Sequence, residues 1–292
     1  MTKPFTIQEF FNRFPDDDTC LDHLMGVRYG KEGDCPKCGK HTKFHRLRKE
    51  PAYVCQWCGH HIHPMVGTPF ARSRTPMQKW FYAMYLFTTT RHGVAAKELQ
   101  RQLGVTYKTA WRMGHEIRKY MAQVDGDPPL SGHVEADEAY IGGRRRGRKE
   151  GFTGRGAKGK TIVFGMVERD GDVITRVVPN ASVKALFPHI TKFIEPGSTI
   201  STDEWPPYKR LRKYPYRHLT VNHAAKQWVC GDAHTNTIEG FWGQLKRSIR
   251  GTHVWVSGKH LPKYLGEFEF RFNLRKQPHI MFDLLLAAFP KA

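Results

Sequence analysis

The chain has 292 residues, enough for two or three domains with at least one sizeable core. Its 47 Lys and Arg against 27 Asp and Glu give a formal net charge of +20, which favours a polyanionic partner, most simply nucleic acid. The basic residues are spread along the chain, which argues against a membrane-surface helix, and the longest apolar run, Met281-Phe282 and Leu284 to Phe289, is too short to span a bilayer.

The first residues, Met1-Thr2-Lys3-Pro4-Phe5, lack an apolar signal core, so a cytosolic location is expected. Six cysteines in such a chain point to metal or chance rather than to disulfides. Four of them form Cys35-Pro36-Lys37-Cys38 and Cys55-Gln56-Trp57-Cys58, with sixteen residues between the pairs. Each pair has the spacing of a metal knuckle, and together they supply four thiolates for one tetrahedral Zn2+. Gly39 and Gly59 follow the second cysteine of each pair, where a tight turn brings backbone N–H groups towards sulfur. Residues 1–70 are read as an N-terminal helix and zinc ribbon.

From Pro76 the pattern turns helical, with Trp80, Phe81, Met84, Tyr85 and Phe87 on one broad face. Val94 to Leu103 reads as a helix closed by Gly104, and Thr106 as the N-cap of the next, Tyr107 to Met121. Two helices joined by a short Gly-containing turn suggest a helix-turn-helix, with Lys108, Arg112 and Arg118 as candidate DNA contacts; an ordinary helical hairpin is the alternative. Asp125-Gly126-Asp127-Pro128-Pro129 breaks the pattern and separates a helical segment, 71–127, from the remainder, 128–292.

The C-terminal half reads as a strand from His133 to Ile141, then a hairpin of Thr161–Glu168 and Asp172–Val178 around Arg169-Asp170-Gly171. A helix from Val183 to Ile194, a strand ending at Asp203, a strand over Arg217–Val221 and further helices complete it. That is the element order of an α/β RNase H-like (retroviral-integrase-like) domain. By fold-level analogy such domains carry acids on the first strand, beside the fourth strand and on a late helix. Asp137, Asp203 and Glu239 occupy those stations.

At 100° per residue Asn236, Glu239, Gly243, Lys246 and Arg250 share one helical face, with Ile238, Phe241, Leu245 and Ile249 roughly opposite. Gly243 is expected to leave room for a ligand, and Lys246 to meet substrate phosphate. Carboxylates suit two Mg2+ (or Mn2+) ions, which can activate an attacking oxygen and stabilise a leaving one. Of the neighbouring acids, Glu138 points away from Asp137 in a regular strand, while Glu135 shares its face and could support a metal ligand from behind. For both, a surface or paired acid is the simpler reading. The basic run Arg144, Arg145, Arg146, Arg148 and Lys149 leaves the Asp137 strand and is expected to clamp phosphate. Trp205, Trp242 and Trp255 are read as core, with base stacking as the alternative.

Together these segments resemble the DDE transposases of bacterial insertion sequences, specifically the ISXO-type group related to Merlin elements. The resemblance rests on the ribbon cysteines, Gly104-Val105-Thr106-Tyr107-Lys108-Thr109-Ala110-Trp111, Asp137-Glu138-Ala139-Tyr140-Ile141-Gly142-Gly143, Thr202-Asp203-Glu204-Trp205 and His234-Thr235-Asn236-Thr237-Ile238-Glu239. Leu245-Lys246-Arg247, Arg250-Gly251-Thr252 and Arg271-Phe272-Asn273 fit as well. It implies a bacterial, nucleoid-associated enzyme that binds double-stranded terminal inverted repeats and joins 3′-hydroxyl ends to target DNA, as a homodimer or larger assembly. Asp137 and Asp203 carry over directly as metal ligands. Related enzymes have Glu or Asn at the third position, and this chain has both Glu239 and Asn236; the carboxylate is the better magnesium ligand. The seven-residue step from Glu239 to Lys246 also matches the resemblance. A non-catalytic regulator derived from a transposase, or a nuclease of the same fold that cuts without joining, are the alternative readings.

Overall fold

The computed structural model describes residues 5–71, 73–142, 159–222, 225 and 229–288. The chain divides into two compact units, Met1–Tyr120 with Gln277–Ala292, and Met121–Lys276. The expected break at 125–129 thus falls earlier, inside a helix, and the last segment joins the first unit rather than the range 128–292.

The first unit opens with α1 (Ile7–Arg13) and α2 (Asp17–Arg28). Thr6 and Glu9 form a reciprocal capping box at the start of α1, satisfying two otherwise unpaired backbone donors. A small antiparallel sheet follows, β1 (Glu32–Asp34), β2 (His41–Arg46), β3 (Tyr53–Cys55) and β4 (His61–Ile62), paired in chain order. Then come α3 (Met77–Thr89), α4 (Ala96–Leu103) and α5 (Tyr107–Asp125). Gly104 ends α4 in the left-handed region at φ +60°, where a side chain would strain the backbone. The Thr109 amide donates to Thr106 Oγ1 at 3.2 Å, so Thr106 caps α5 as its sequence suggests.

The second unit is built on a five-stranded sheet of β5 (His133–Ile141), β6 (Thr161–Glu168), β7 (Val173–Val178), β8 (Thr199–Thr202) and β9 (Arg217–Thr220). The order is β7-β6-β5-β8-β9, antiparallel from β7 to β5 and parallel from β5 to β9. This is the RNase H-like arrangement. Val134 and Ala136 on β5, with Phe164, Met166, Ile174 and Ile200, face α6 (Val183–Phe193) and the 3-10 turn Pro206–Lys213. The opposite parity, Ala139 and Ile141, faces α7 (Asn236–Ser248) and α8 (Leu261–Asn273). Because side chains alternate along a strand, one β5 residue step decides which helical layer a group enters.

The last turn of α5 belongs to this unit for a packing reason. Gly266 of α8 lies so close to it that a Cβ there would come within 2.3 Å of the Ala122 Cβ, and Asn273 Nδ2 donates to Asp125 Oδ2 at 2.9 Å. In turn α9 (Met281–Ala287) packs in the first unit, its Phe282 ring meeting Phe10, Phe14 and Tyr85. Among the described residues no helix is long and apolar enough to cross a membrane.

Candidate active site and metal centre

The four ribbon cysteines converge: their sulfurs all lie within 4.8 Å of one another, with Cys35 Sγ 3.7 Å from Cys58 Sγ and Cys38 Sγ 3.9 Å from Cys55 Sγ. A Zn–S bond of about 2.3 Å places tetrahedral thiolates about 3.8 Å apart, so the donor set fits zinc. Each knuckle is closed the same way. Gly39 N–H donates to Cys35 O at 2.9 Å and Gly59 N–H to Cys55 O at 3.0 Å, with both glycines at positive φ, +69° and +67°. The second cysteine pair therefore repeats the backbone of the first.

On the second unit the β5–β8 ladder pairs Glu135 with Ser201; Asp137 and Asp203 each follow two residues later, and the charge of Asp203 acts on Asp137. Asp137 stands in the middle of β5 and Asp203 just past the end of the adjacent parallel strand β8. Asp203 is fixed by an Asx turn, its Oδ1 accepting from Trp205 N–H at 2.9 Å. Glu239 reaches the same region from the first turn of α7, and its Oε1 accepts from Thr235 Oγ1 at 2.9 Å. The three acids act on one another: burial, then the charge of Asp203, and more weakly that of Glu239, push the Asp137 carboxyl up to about 6. They remain more open than the cysteines, since they do not form a set within 4.8 Å. Hard oxygen donors under mutual repulsion fit a divalent cation, whose charge offsets that repulsion.

Trp242 holds Asp137 from the side. Its indole Nε1 donates to Asp137 Oδ2 at 3.1 Å, and its ring lies over Gly165, the residue paired with Asp137 across the β5–β6 ladder. A Cβ at Gly165 would come within 2.4 Å of that ring, so only bare backbone admits the indole here. Trp242 is therefore core, 3% exposed, and a hydrogen-bond donor to the site. Trp205 and Trp255 are exposed, and Trp205 Nε1 donates to Ala181 O at 3.0 Å.

Glu138 does turn to the opposite face, where it accepts from the buried Tyr208 hydroxyl. Burial pushes its carboxyl up to about 8, with the Tyr208 bond opposing and the charges of Asp137 and Asp203 adding to the rise. Glu135 is no surface acid: it is fully buried beneath α7. Its Oε2 accepts from the Thr237 and Ile238 amides at 2.8 and 3.1 Å, and its Oε1 from Arg169 Nε at 2.9 Å and Thr237 Oγ1 at 3.1 Å. His234 Nδ1 stands 2.9 Å from the same Oε1. Arg169 Nη1 lies 3.1 Å from His133 Nδ1; a guanidinium only donates, so His133 accepts there and its Nε2–H faces Ser201 Oγ at 2.8 Å. Sequence alone offered one hint: His133, Glu135 and Asp137 share a strand face.

Several expected contacts move. Arg118 is not a DNA-facing residue: it is 3% exposed, donates to Val94 O at 3.0 Å and lies over the Phe87 ring. Gly114, four residues earlier, makes the room it needs, with the Arg118 Nη1 only 3.0 Å from where a Cβ would stand. Lys108 and Arg112 are exposed on α5 beside Tyr107 and Trp111. Arg250 is exposed and lies beyond the end of α7 at Ser248, in the π-helical turn Ile249–His253. Gly243 is partly covered by Arg247, whose Nη1 lies 3.3 Å from a built Cβ. Lys246 is half-buried, while Asn236, at the first position of α7, is exposed. Arg144, Arg145, Arg146, Arg148 and Lys149 lie outside the described residues.

A zinc ribbon ahead of an RNase H-like sheet, with acids on β5, just past β8 and in the first turn of α7, has the parts of a DDE transposase. Residues 129–273 match the ISXO2-like transposase domain, and residues 15–61 match the transposase zinc-ribbon domain. The chain belongs to the ISXO2-like transposase family. It is 27% identical over 282 residues to an uncharacterized protein in the transposable element ISH50 of Halobacterium salinarum, covering 91% of this chain and 94% of that one. Among solved structures it is similar to a pre-cleavage Mos1 transpososome, at 12% identity and a TM-score of 0.28 over 73% of this chain and 79% of that chain. A Mos1 strand transfer complex matches at 10% identity and a TM-score of 0.30, over 73% and 78%. Scores this low place no residue.

Proposed function

We propose that the chain is a DNA transposase that binds the terminal inverted repeats of an insertion sequence, cuts at its ends and joins them to target DNA. The observation that carries this reading is the placement of Asp137 on β5, Asp203 just past β8 and Glu239 in the first turn of α7, near enough for the charges of Asp203 and Glu239 to act on Asp137. In this role the three carboxylates hold divalent cations, Mg2+ or Mn2+, which supply activation of the attacking oxygen and stabilisation of the leaving one. Trp242 keeps Asp137 in place while Lys246, on α7, contacts a substrate phosphate. Glu239 is the preferred third ligand because its charge acts on Asp137; Asn236 is the competitor at the start of the same helix.

DNA recognition falls to the first unit in this reading. Lys108 and Arg112 project from the start of α5 beside two exposed aromatic rings, which suits phosphate contact with stacking alongside. Joining two element ends calls for at least two copies of the chain. The test is incubation of the protein with Mg2+ or Mn2+, element-end DNA and a target plasmid. Joined products are expected from wild type and none from Asp137→Ala. Cleavage without joining would make the protein a nuclease, and binding alone would make it a regulator. If Asp137→Ala joins DNA as wild type does, the assignment of the site is wrong. Replacing Glu239 by Gln and Asn236 by Ala in separate variants decides the third ligand, with the larger loss expected for Glu239→Gln.

A further inference from the structure

Beneath the three acids lies a polar layer that none of the proposed chemistry uses. Its members stand two residues before each acid: Glu135 before Asp137, Ser201 before Asp203 and Thr237 before Glu239. They are linked in one run, from Ser201 Oγ to His133, to Arg169, to Glu135 and on to the α7 amides. The Arg169 fork also reaches His234 O at 3.2 Å, just ahead of α7. Four hydrogen bonds meet one carboxylate that is fully buried, which leaves Glu135 a single orientation.

We propose that Glu135 is the positioning residue of the site: it grips the first turn of α7 and so sets where Glu239 stands relative to Asp137. The proposal rests on the functional reading above for its link to activity, and on this geometry alone for the grip itself. A helix N-terminus presents unpaired N–H groups and a partial positive charge, and a carboxylate placed there satisfies both. Here that carboxylate comes from the strand bearing Asp137, 102 residues away from Thr237, so the cap also docks one metal-ligand element onto another. Thr237 Oγ1 bonds to Glu135 as well, so the helix is held against rotation about its own axis and not only along it. A turn of α7 by one residue would swing Glu239 by about 100°. Arg169 and His133 complete the hold by tying Glu135 to β8, the element that leads into Asp203.

The substitution Glu135→Gln keeps the shape and removes the fit. An amide oxygen can serve the Thr237 and Ile238 amides, but its NH2 then faces the Arg169 guanidinium, donor against donor. The experiment uses the full chain with zinc bound. Amide hydrogen exchange at Thr237 and Ile238, read without added metal, is expected to speed up about 10-fold or more in Glu135→Gln. The Mn2+ concentration for half-saturation, followed by the paramagnetic signal of the ion, is expected to rise about 10–100-fold. Joining should lose kcat, while KM for element-end DNA stays as in wild type. A role in stability alone would lower the yield or melting temperature of the variant and leave the Mn2+ half-saturation of its folded fraction unmoved. Thr237→Val, which removes one hydroxyl and keeps the helix, guards against a variant that fails to fold; it should shift both readouts in the same direction by a smaller factor. Folded variants with wild-type exchange at Thr237 and Ile238 and wild-type Mn2+ half-saturation would overturn the proposal. Wild type that takes up no Mn2+ would overturn the functional reading instead, and the exchange data would still decide whether Glu135 grips α7.

Discussion

The zinc ribbon and the carboxylate site solve the same problem, gathering like-charged side chains, in opposite ways. The cysteines lie within 24 residues, from Cys35 to Cys58, and two glycine turns aim them. The acids span Asp137 to Glu239 and owe their placement to a sheet register, a buried carboxylate and an indole over bare backbone. One geometry is written into local turns, the other into contacts about a hundred residues apart. A local knuckle can close as a unit around its ion, whereas the acids can be only as accurate as the whole second unit.

The largest effect should come from zinc removal. Structural zinc is worth on the order of 10–16 kcal/mol in small ribbons, so a strong chelator should release one zinc per chain and expose the β1–β4 amides to exchange. Melting of the second unit should be unchanged. If chelation instead melted both units together, the ribbon would not be specified locally.

Gly165→Ala strikes the long-range side of the contrast. The added methyl meets Trp242 at 2.4 Å and must displace the indole, costing about 1–3 kcal/mol by overpacking. Joining should fall further than stability, because Asp137 loses its Nε1 donor, and zinc content should stay at wild type. Equal melting temperatures and equal joining would show that the indole does not govern Asp137.

The second unit also carries buried acids bonded across long intervals, and these predict a pH trend. Burial pushes Glu269 up to about 7, with the Thr175 bond opposing, and pushes Asp125 up to about 6. A raised carboxyl holds its proton more tightly folded than unfolded. Stability from these groups is therefore full below the ordinary carboxylate range and is lost as pH rises towards 7. Thermal melts at pH 4.5, 6 and 7.5 should show that decline for the second unit, and Glu269→Gln should flatten it. A decline as steep in the variant would place its origin elsewhere.

The smallest effect tests local encoding again. Thr106→Ala removes the Thr106 Oγ1 acceptor at the start of α5 and should cost about 1 kcal/mol in the first unit. Element-end DNA should still bind, since Lys108 and Arg112 are retained, and a loss of binding at unchanged stability would give Thr106 a contact of its own.

What the sequence made legible follows the same division. The knuckles, the Gly104 stop, the Thr106 cap and the alternation of β5 are patterns of neighbouring residues, and each is found where its spacing puts it. The stations of Asp137 and Asp203 followed from element order alone. The partners of Glu135 were hidden because Arg169 and Thr237 lie 34 and 102 residues away, and no local pattern joins them. Gly165 became meaningful only through the register that sets it opposite Asp137. Arg118 misled because charge was read without its companion; a glycine one turn earlier marks a side chain folded back along its own helix.

The return of α9 to the first unit has a consequence for how the protein is made. Phe282 meets Phe10, Phe14 and Tyr85, so these rings emerge from the ribosome long before the ring that covers them. Until the second unit has been synthesised, the first displays an aromatic patch that a chaperone or another nascent copy can occupy. Completion of the chain therefore acts as the final folding step of its own beginning.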